Sequence, residues 1–192
     1  MKVIAINGSS RKNGNTRVLL TTVLGEMEKE GAETRIISLA GRPIQGCLAC
    51  YKCLENKDGR CAVEKDGVNG IIEAMREADG ILLGSPTYFS DVSASMKGLI
   101  ERAGMVARVN GNFLDKKAGA AVVAVRRAGA NHVMSSINYF FLISSMFVVG
   151  SSYWPMGFGM EPGAVEKDVE GMETMRVLGR NMAWLLKKTQ AV

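Results

Sequence analysis

Cys47, Cys50, Cys53 and Cys61 are the only cysteines of the 192-residue chain, and all four fall inside one short stretch. The first three follow C-x2-C-x2-C, and the fourth comes after a spacer of seven residues. Compact spacing of this kind lets one loop wrap a corner of a cubane cluster and offer it three thiolates. Zinc sites more often use two separated C-x2-C pairs. Free thiols, zinc and a disulfide stand as the competing readings, the disulfide disfavoured in a reducing compartment.

A second chemistry is written at the start of the chain, MKVIAINGSSRKNGNT. Val3-Ile4-Ala5-Ile6 reads as a buried strand, and a helical pattern with Val18, Leu19, Val23 and Met27 on one face follows from Asn15 or Thr16. A loop between a strand and a helix N-terminus suits an anion, because unpaired amide N–H groups and the helix dipole both favour a phosphate there. Ser9, Ser10, Asn15 and Thr16 add donors and Arg11 adds charge. The loop is neither GxxxxGK[ST], since no Lys follows Gly14, nor GxGxxG. The plainer alternative is a polar loop capped by Asn15 or Thr16.

A third signal is Ser85-Pro86-Thr87-Tyr88-Phe89-Ser90, two aromatics placed directly after an apolar strand. Pro86 stiffens the turn. The backbone beyond it can meet the polar edge of a flat ring while Tyr88 or Phe89 packs on its face, as apolar walls with a few placed polar groups do in cofactor pockets. Packing against the sheet edge or a neighbouring subunit is the competing reading. His132 is the only histidine, so no Ser-His-Asp or Cys-His apparatus can be built around a second one, and a solvated position is expected for His132.

Elements that must position these residues alternate along the chain. Strands are expected at 33–39, 81–83, 118–125 and 147–149 after the first, with helices at 68–79, 93–103, 131–146 and 165–188. Residues 41–66 form a long irregular cysteine-rich segment, a kind of loop that is usually functional or disordered. Residues 152–163, rich in Gly, Pro and aromatics, read as a surface loop. The last helix carries Met172, Met175, Leu178, Met182 and Leu185 at helical spacing, a core or dimer surface rather than a cofactor box. Alternation of this kind calls for a parallel sheet, doubly wound, with ligands at the carboxyl ends of its strands. That gathers the loops 8–16, 85–92 and 126–130 and the cysteine segment around one site.

The bulk numbers agree with one globular domain over 1–192. Hydrophobic residues make up 47% and charged residues 22%, and the net charge of +5 is scattered, which argues against nucleic acid. Ile137 to Gly150 is too short and interrupted to span a bilayer, and no leader pattern opens the chain, so a cytoplasmic protein without a membrane partner is expected.

Taken together, GSSRKNGNT, SPTYFSDVSASMK and the GCLACYKC between them resemble the NADPH-dependent FMN reductase family of flavodoxin-like flavoproteins, and within it the iron–sulfur flavoprotein branch. The resemblance covers roughly residues 1–129; beyond that it is one of element order. It implies a flavodoxin-like five-stranded parallel sheet with the cysteine-rich insertion after the second strand. It implies FMN, with Ser9, Arg11, Asn15 and Thr16 on the phosphate and Gly14 allowing close backbone approach. Pro86, Thr87, Tyr88 and Phe89 would line the isoalloxazine, and Arg127, Ala128 and Gly129 would reach its other polar edge. Arg126 and Arg127 depart from the smaller, more polar loop expected there, which leaves their role open. Cys47, Cys50, Cys53 and Cys61 would ligate a [4Fe–4S] cluster, although related reductases keep some of these cysteines without one.

The implied activity is electron transfer between a reduced donor, NAD(P)H or ferredoxin, and a small acceptor such as a quinone or another oxidant. The alternatives are an FMN or iron–sulfur electron carrier, or a thiol redox sensor without turnover. The flavin does the chemistry, so no side chain is assigned a catalytic role. A ring exposed at strand ends needs cover, and the resemblance implies a homodimer or homotetramer.

Overall fold

In the computed structural model, which describes residues 1–190, the sheet runs in the order β2-β1-β3-β4-β5 with every pairing parallel. β1 is Lys2–Asn7, β2 Glu33–Ser38, β3 Gly80–Pro86, β4 Ala118–Val125 and β5 Phe147–Val148. The helices are α1 Asn15–Lys29, α2 Lys52–Asn56, α3 Val68–Glu77, α4 Ala94–Val109, α5 Ala130–Ile143 and α6 Val169–Gln190. Among the described residues, no helix is long and apolar enough to cross a membrane.

The central strands are apolar through their middles because both of their faces are covered, as parallel sheets require. Side chains alternate between two cores. Val3 and Ala5 of β1, Leu82 of β3 and Ala120 and Val122 of β4 meet Leu19, Leu20 and Val23 of α1 and Met175, Leu178 and Met182 of α6. Ile4, Ile6, Ile81, Leu83, Ala121 and Val123 face α3, α4 and α5. The methionines of the last helix are therefore largely core. Small residues set the layer spacing: a Cβ on Gly84 would lie 2.7 Å from Leu20, and one on Gly119 2.8 Å from Phe141.

Four expectations need adjustment. Residues 152–163 are not all loop: Met156–Phe158 form a sixth strand, β6, pairing with Val123–Val125 at the carboxyl end of β4. Its Gly and Pro density reads as punctuation, yet Gly157 is there because a Cβ would lie 2.7 Å from Leu19 and 2.6 Å from Val165. The fifth strand shrinks to two residues on the opposite half of β4. Helix α4 runs one and a half turns beyond 103, and the last helix is preceded by a separate 3-10 turn at Ala164–Lys167. The order 2-1-3 reverses direction between β1 and β3, and ligands of open α/β sheets bind at such a switch, at the carboxyl strand ends.

Candidate cofactor recess and cysteine cavity

At the switch, the loop after β1 is tied to the strand beside it. Gly8 N–H donates to the Gly84 carbonyl at 2.7 Å, and Ser93 Oγ donates to the Gly8 carbonyl at 2.6 Å while accepting from Met96 N–H to cap α4. Ser93 thus joins the first and third loops, a role its sequence position does not advertise. Asn7 Oδ1 accepts from Ser9 N–H, and Ser9 Oγ accepts from Arg11 N–H, curling the loop back on itself.

Helix α1 starts at Gly14 with no side-chain cap. Asn15 and Thr16, the expected caps, instead lie in the first turn and are buried. Asn15 Oδ1 is met by Val165 N–H at 3.4 Å, from the segment after β6. Thr16 is 1% exposed, and its hydroxyl oxygen is buried without any hydrogen-bond partner. An uncapped helix N-terminus beside an orphaned buried hydroxyl is an arrangement an anion completes.

The recess above it measures about 160 Å³. Ser9, Arg11, Gly14, Asn15 and Thr16 line one side and Pro86, Thr87 and Tyr88 another. Thr87 N–H is spent on the Ala124 carbonyl at 2.9 Å, but its hydroxyl is a second buried orphan. Ala124 and Arg126 from the end of β4, with Gly159 and Met160 after β6, close the rest. Arg11 Nη1 donates to the Met160 carbonyl at 3.1 Å, drawing that segment over the loop.

Sequence reasoning had no means to find Gly159 and Met160, because they arrive through β6. Of the two arginines whose role was open, Arg126 lines the recess.

Tyr88 and Asp91 exchange backbone hydrogen bonds at 3.0 and 3.1 Å, pinching the β3–α4 loop into a turn. Phe89, at its tip with φ +47°, is fully exposed and stands outside the recess lining. Gly129 has φ +88° and touches this turn: a Cβ would lie 2.7 Å from Ser90 Oγ and 3.0 Å from its Cα. The loop 127–129 therefore abuts the β3–α4 turn. Hydrogen bonds from Val92 N–H and the Ser136 hydroxyl outweigh burial and hold the Asp91 carboxyl below its ordinary range. His132 is largely exposed, its Nε2 3.7 Å from Asp91.

The cysteine segment forms a second cavity, of about 280 Å³, walled by Cys47, Cys50, Cys53 and Cys61 together with Glu101 and Arg102 of α4. All four thiols are free. Each stretch of the loop is fastened from a helix. Glu101 accepts from Cys47 N–H at 3.1 Å, and Asn69 of α3 clasps Cys61 by both its N–H (2.8 Å) and its carbonyl (2.9 Å). Asn110, just past α4, accepts from Gly59 N–H and donates to the Cys53 carbonyl.

Burial, and then the neighbouring charge of Cys61, Cys47 and Cys50, pushes the Cys53 thiol up. Four thiolates ringing one cavity repel one another unless cationic charge lies between them. Among the described residues no three Cys, His, Asp or Glu converge as on a single ion. All four cysteines nevertheless line one cavity, and four thiolates are the donor set that a cubane takes.

The family model for the NADPH-dependent FMN reductase matches residues 1–161. An iron–sulfur flavoprotein of Methanocaldococcus jannaschii is 42% identical over 97% of this chain and 98% of its own. The iron–sulfur flavoprotein of Methanosarcina thermophila is 31% identical over 99% and 97%. Among solved structures, the NAD(P)H:quinone oxidoreductase of Methanothermobacter marburgensis superposes with a TM-score of 0.70 at 17% identity, covering 95% of this chain and 96% of that one.

Proposed function

Because the chain belongs to the NADPH-dependent FMN reductase family, we propose that it holds FMN at the β1/β3 switch and carries electrons from a reduced donor, NAD(P)H or ferredoxin, to a small acceptor such as a quinone. The observation that carries this reading is the pair of orphaned hydroxyls lining one recess, Thr16 in the first turn of α1 and Thr87 in the loop after β3. A buried unpaired hydroxyl costs about 1–3 kcal/mol, so two in one recess point to a ligand that supplies both partners.

In this reading the α1 N-terminus, Thr16 and Ser9 hold the phosphate, Arg11 neutralises part of its charge, and Gly14 keeps the backbone close. Pro86, Thr87 and Tyr88 bound the ring, and the loop 127–129, which abuts Ser90, reaches its other polar edge. Flavin supplies hydride and single-electron chemistry on its own ring, so the protein's work is to position it and exclude water. Cys47, Cys50, Cys53 and Cys61 hold a [4Fe–4S] cluster in the cysteine cavity. The neighbouring turn shows Phe89 to solvent, where a second copy of the chain can cover it.

Steady-state oxidation of NADPH, NADH or reduced ferredoxin with a quinone or ferricyanide tests the activity. Turnover with one of these donors is expected. Full FMN content with negligible turnover from every donor would reassign the chain as an electron carrier or thiol sensor. A protein that takes up no FMN on reconstitution would overturn the reading altogether.

A further inference from the structure

Arg102 is the largest fully buried side chain, 1% exposed, yet it comes from α4 as a wall of the cysteine cavity. Its guanidinium is spent in a definite way. Nη1 and Nη2 both donate to Asp66, the second at 3.2 Å, and Nη2 also donates to the Val63 carbonyl at 2.7 Å. Nε donates to the Cys61 sulfur at 3.3 Å. Four hydrogen bonds to three fixed partners leave the group no freedom to turn, and an arginine keeps its charge under any folding condition.

Pairing with Asp66 accounts for the burial of the charge. It does not require the Nε–H to point at a thiol. Cys61 is meanwhile clasped at N–H and carbonyl by Asn69, so its sulfur is held against Nε from both directions.

We propose that Arg102 is a positioning residue that sets the reduction potential of the cluster, through an aimed N–H donor at the Cys61 sulfur. This rests on the cluster reading above. Reduction adds one electron and no proton to a cubane, delivered by the donor named there, and the added negative charge spreads onto the ligating sulfurs. A hydrogen bond from a cationic donor stabilises that charge more in the reduced state than in the oxidised one, so it raises the potential. Asp66 offsets much of the net charge of the guanidinium but leaves the N–H in place.

The test uses the anaerobically purified holoprotein, titrated with dithionite in the presence of mediators. The reduced cluster is read by electron paramagnetic resonance and the flavin by absorption. Arg102→Lys keeps a cation beside Asp66 and deletes the Nε–H. The double variant Arg102→Met with Asp66→Asn removes both charges together and guards against an uncompensated buried ion.

With iron content unchanged, the reduced-to-oxidised ratio at the wild-type cluster midpoint should fall at least about tenfold in both variants. That is a downward shift of about 59 mV for a one-electron couple. The flavin midpoint, in a separate recess, should stay put. Full clusters whose ratio stays within about twofold of wild type in both variants would overturn the proposal. So would loss of iron from both folded variants, which would assign Arg102 to cluster assembly alone. Wild-type protein without iron would instead remove the cluster reading beneath it.

Discussion

Thr16→Val separates a ligand-binding hydroxyl from a structural one by moving two quantities in opposite directions. Valine keeps the shape and β-branching of threonine, and the helix propensities of the two are close, so the backbone of α1 is undisturbed. In the free protein the hydroxyl is buried and unpaired. Its removal should therefore stabilise the apoprotein by up to about 1–3 kcal/mol, the cost of desolvating an unsatisfied group.

In the proposed FMN complex the same hydroxyl would donate to the phosphate, a bond to a charged group worth about 1.5–3 kcal/mol. At about 1.4 kcal/mol per decade, the dissociation constant for FMN should rise about 10- to 100-fold. Urea denaturation of the apoprotein reads the first effect, and quenching of flavin fluorescence reads the second. Riboflavin, which lacks the phosphate, should bind wild type and variant alike. A destabilised apoprotein, or an FMN affinity within about twofold of wild type, would refute the placement of the phosphate at Thr16.

Gly84→Ala places a Cβ 2.7 Å from Leu20 in the core under the switch point, and should lower stability by about 1–3 kcal/mol in the same denaturation assay. Asn69→Ala removes both clasps on Cys61, should cost about 1–3 kcal/mol, and should lower the iron retained per chain after anaerobic gel filtration while FMN content holds. Burial raises the Asp66 carboxyl, but hydrogen bonds from Arg102 and Val68 N–H outweigh it and hold it below its ordinary range. The stabilisation it brings is thus fully present above the unfolded value of about 3.9 and is lost as pH falls through the lower folded value. In urea titrations of the apoprotein, wild type should lose stability more steeply below about pH 4 than Asp66→Asn, which is weaker at neutral pH; parallel slopes would show that the pair is not what acid breaks.

What the sequence makes legible here is what lies close together along the chain. The strand, loop and helix of residues 1–27, the aromatic turn after β3 and the cysteine spacing are each written within a few residues, and their element types follow from periodicity. Arg102 was hidden because its partners Cys61 and Asp66 are 41 and 36 residues away, and an arginine within an amphipathic helix reads as solvated until the helix is docked. Glu101 and Asn110 escaped for the same reason, meeting backbone groups 54 and 51 residues away, whereas Asn69 meets Cys61 only eight residues back but outside its helix. Gly159 and Met160 reach the recess only because three residues of β6 pair with β4, a strand too short to show a period. Phe89 illustrates the converse. Its residue type marks the turn beside the recess, but with a left-handed backbone at the tip its side chain is exposed to solvent.

The joint content of flavin and cluster in anaerobically purified protein bears most directly on how the two cavities are used. Extraction should release about one FMN per chain, held through the recess of Thr16 and Thr87, and about four iron and four sulfide, held by Cys47, Cys50, Cys53 and Cys61. Protein that retains FMN but carries iron near zero, with all four thiols open to titration, would contradict the assignment of the cysteine cavity. Protein that retains neither would contradict both.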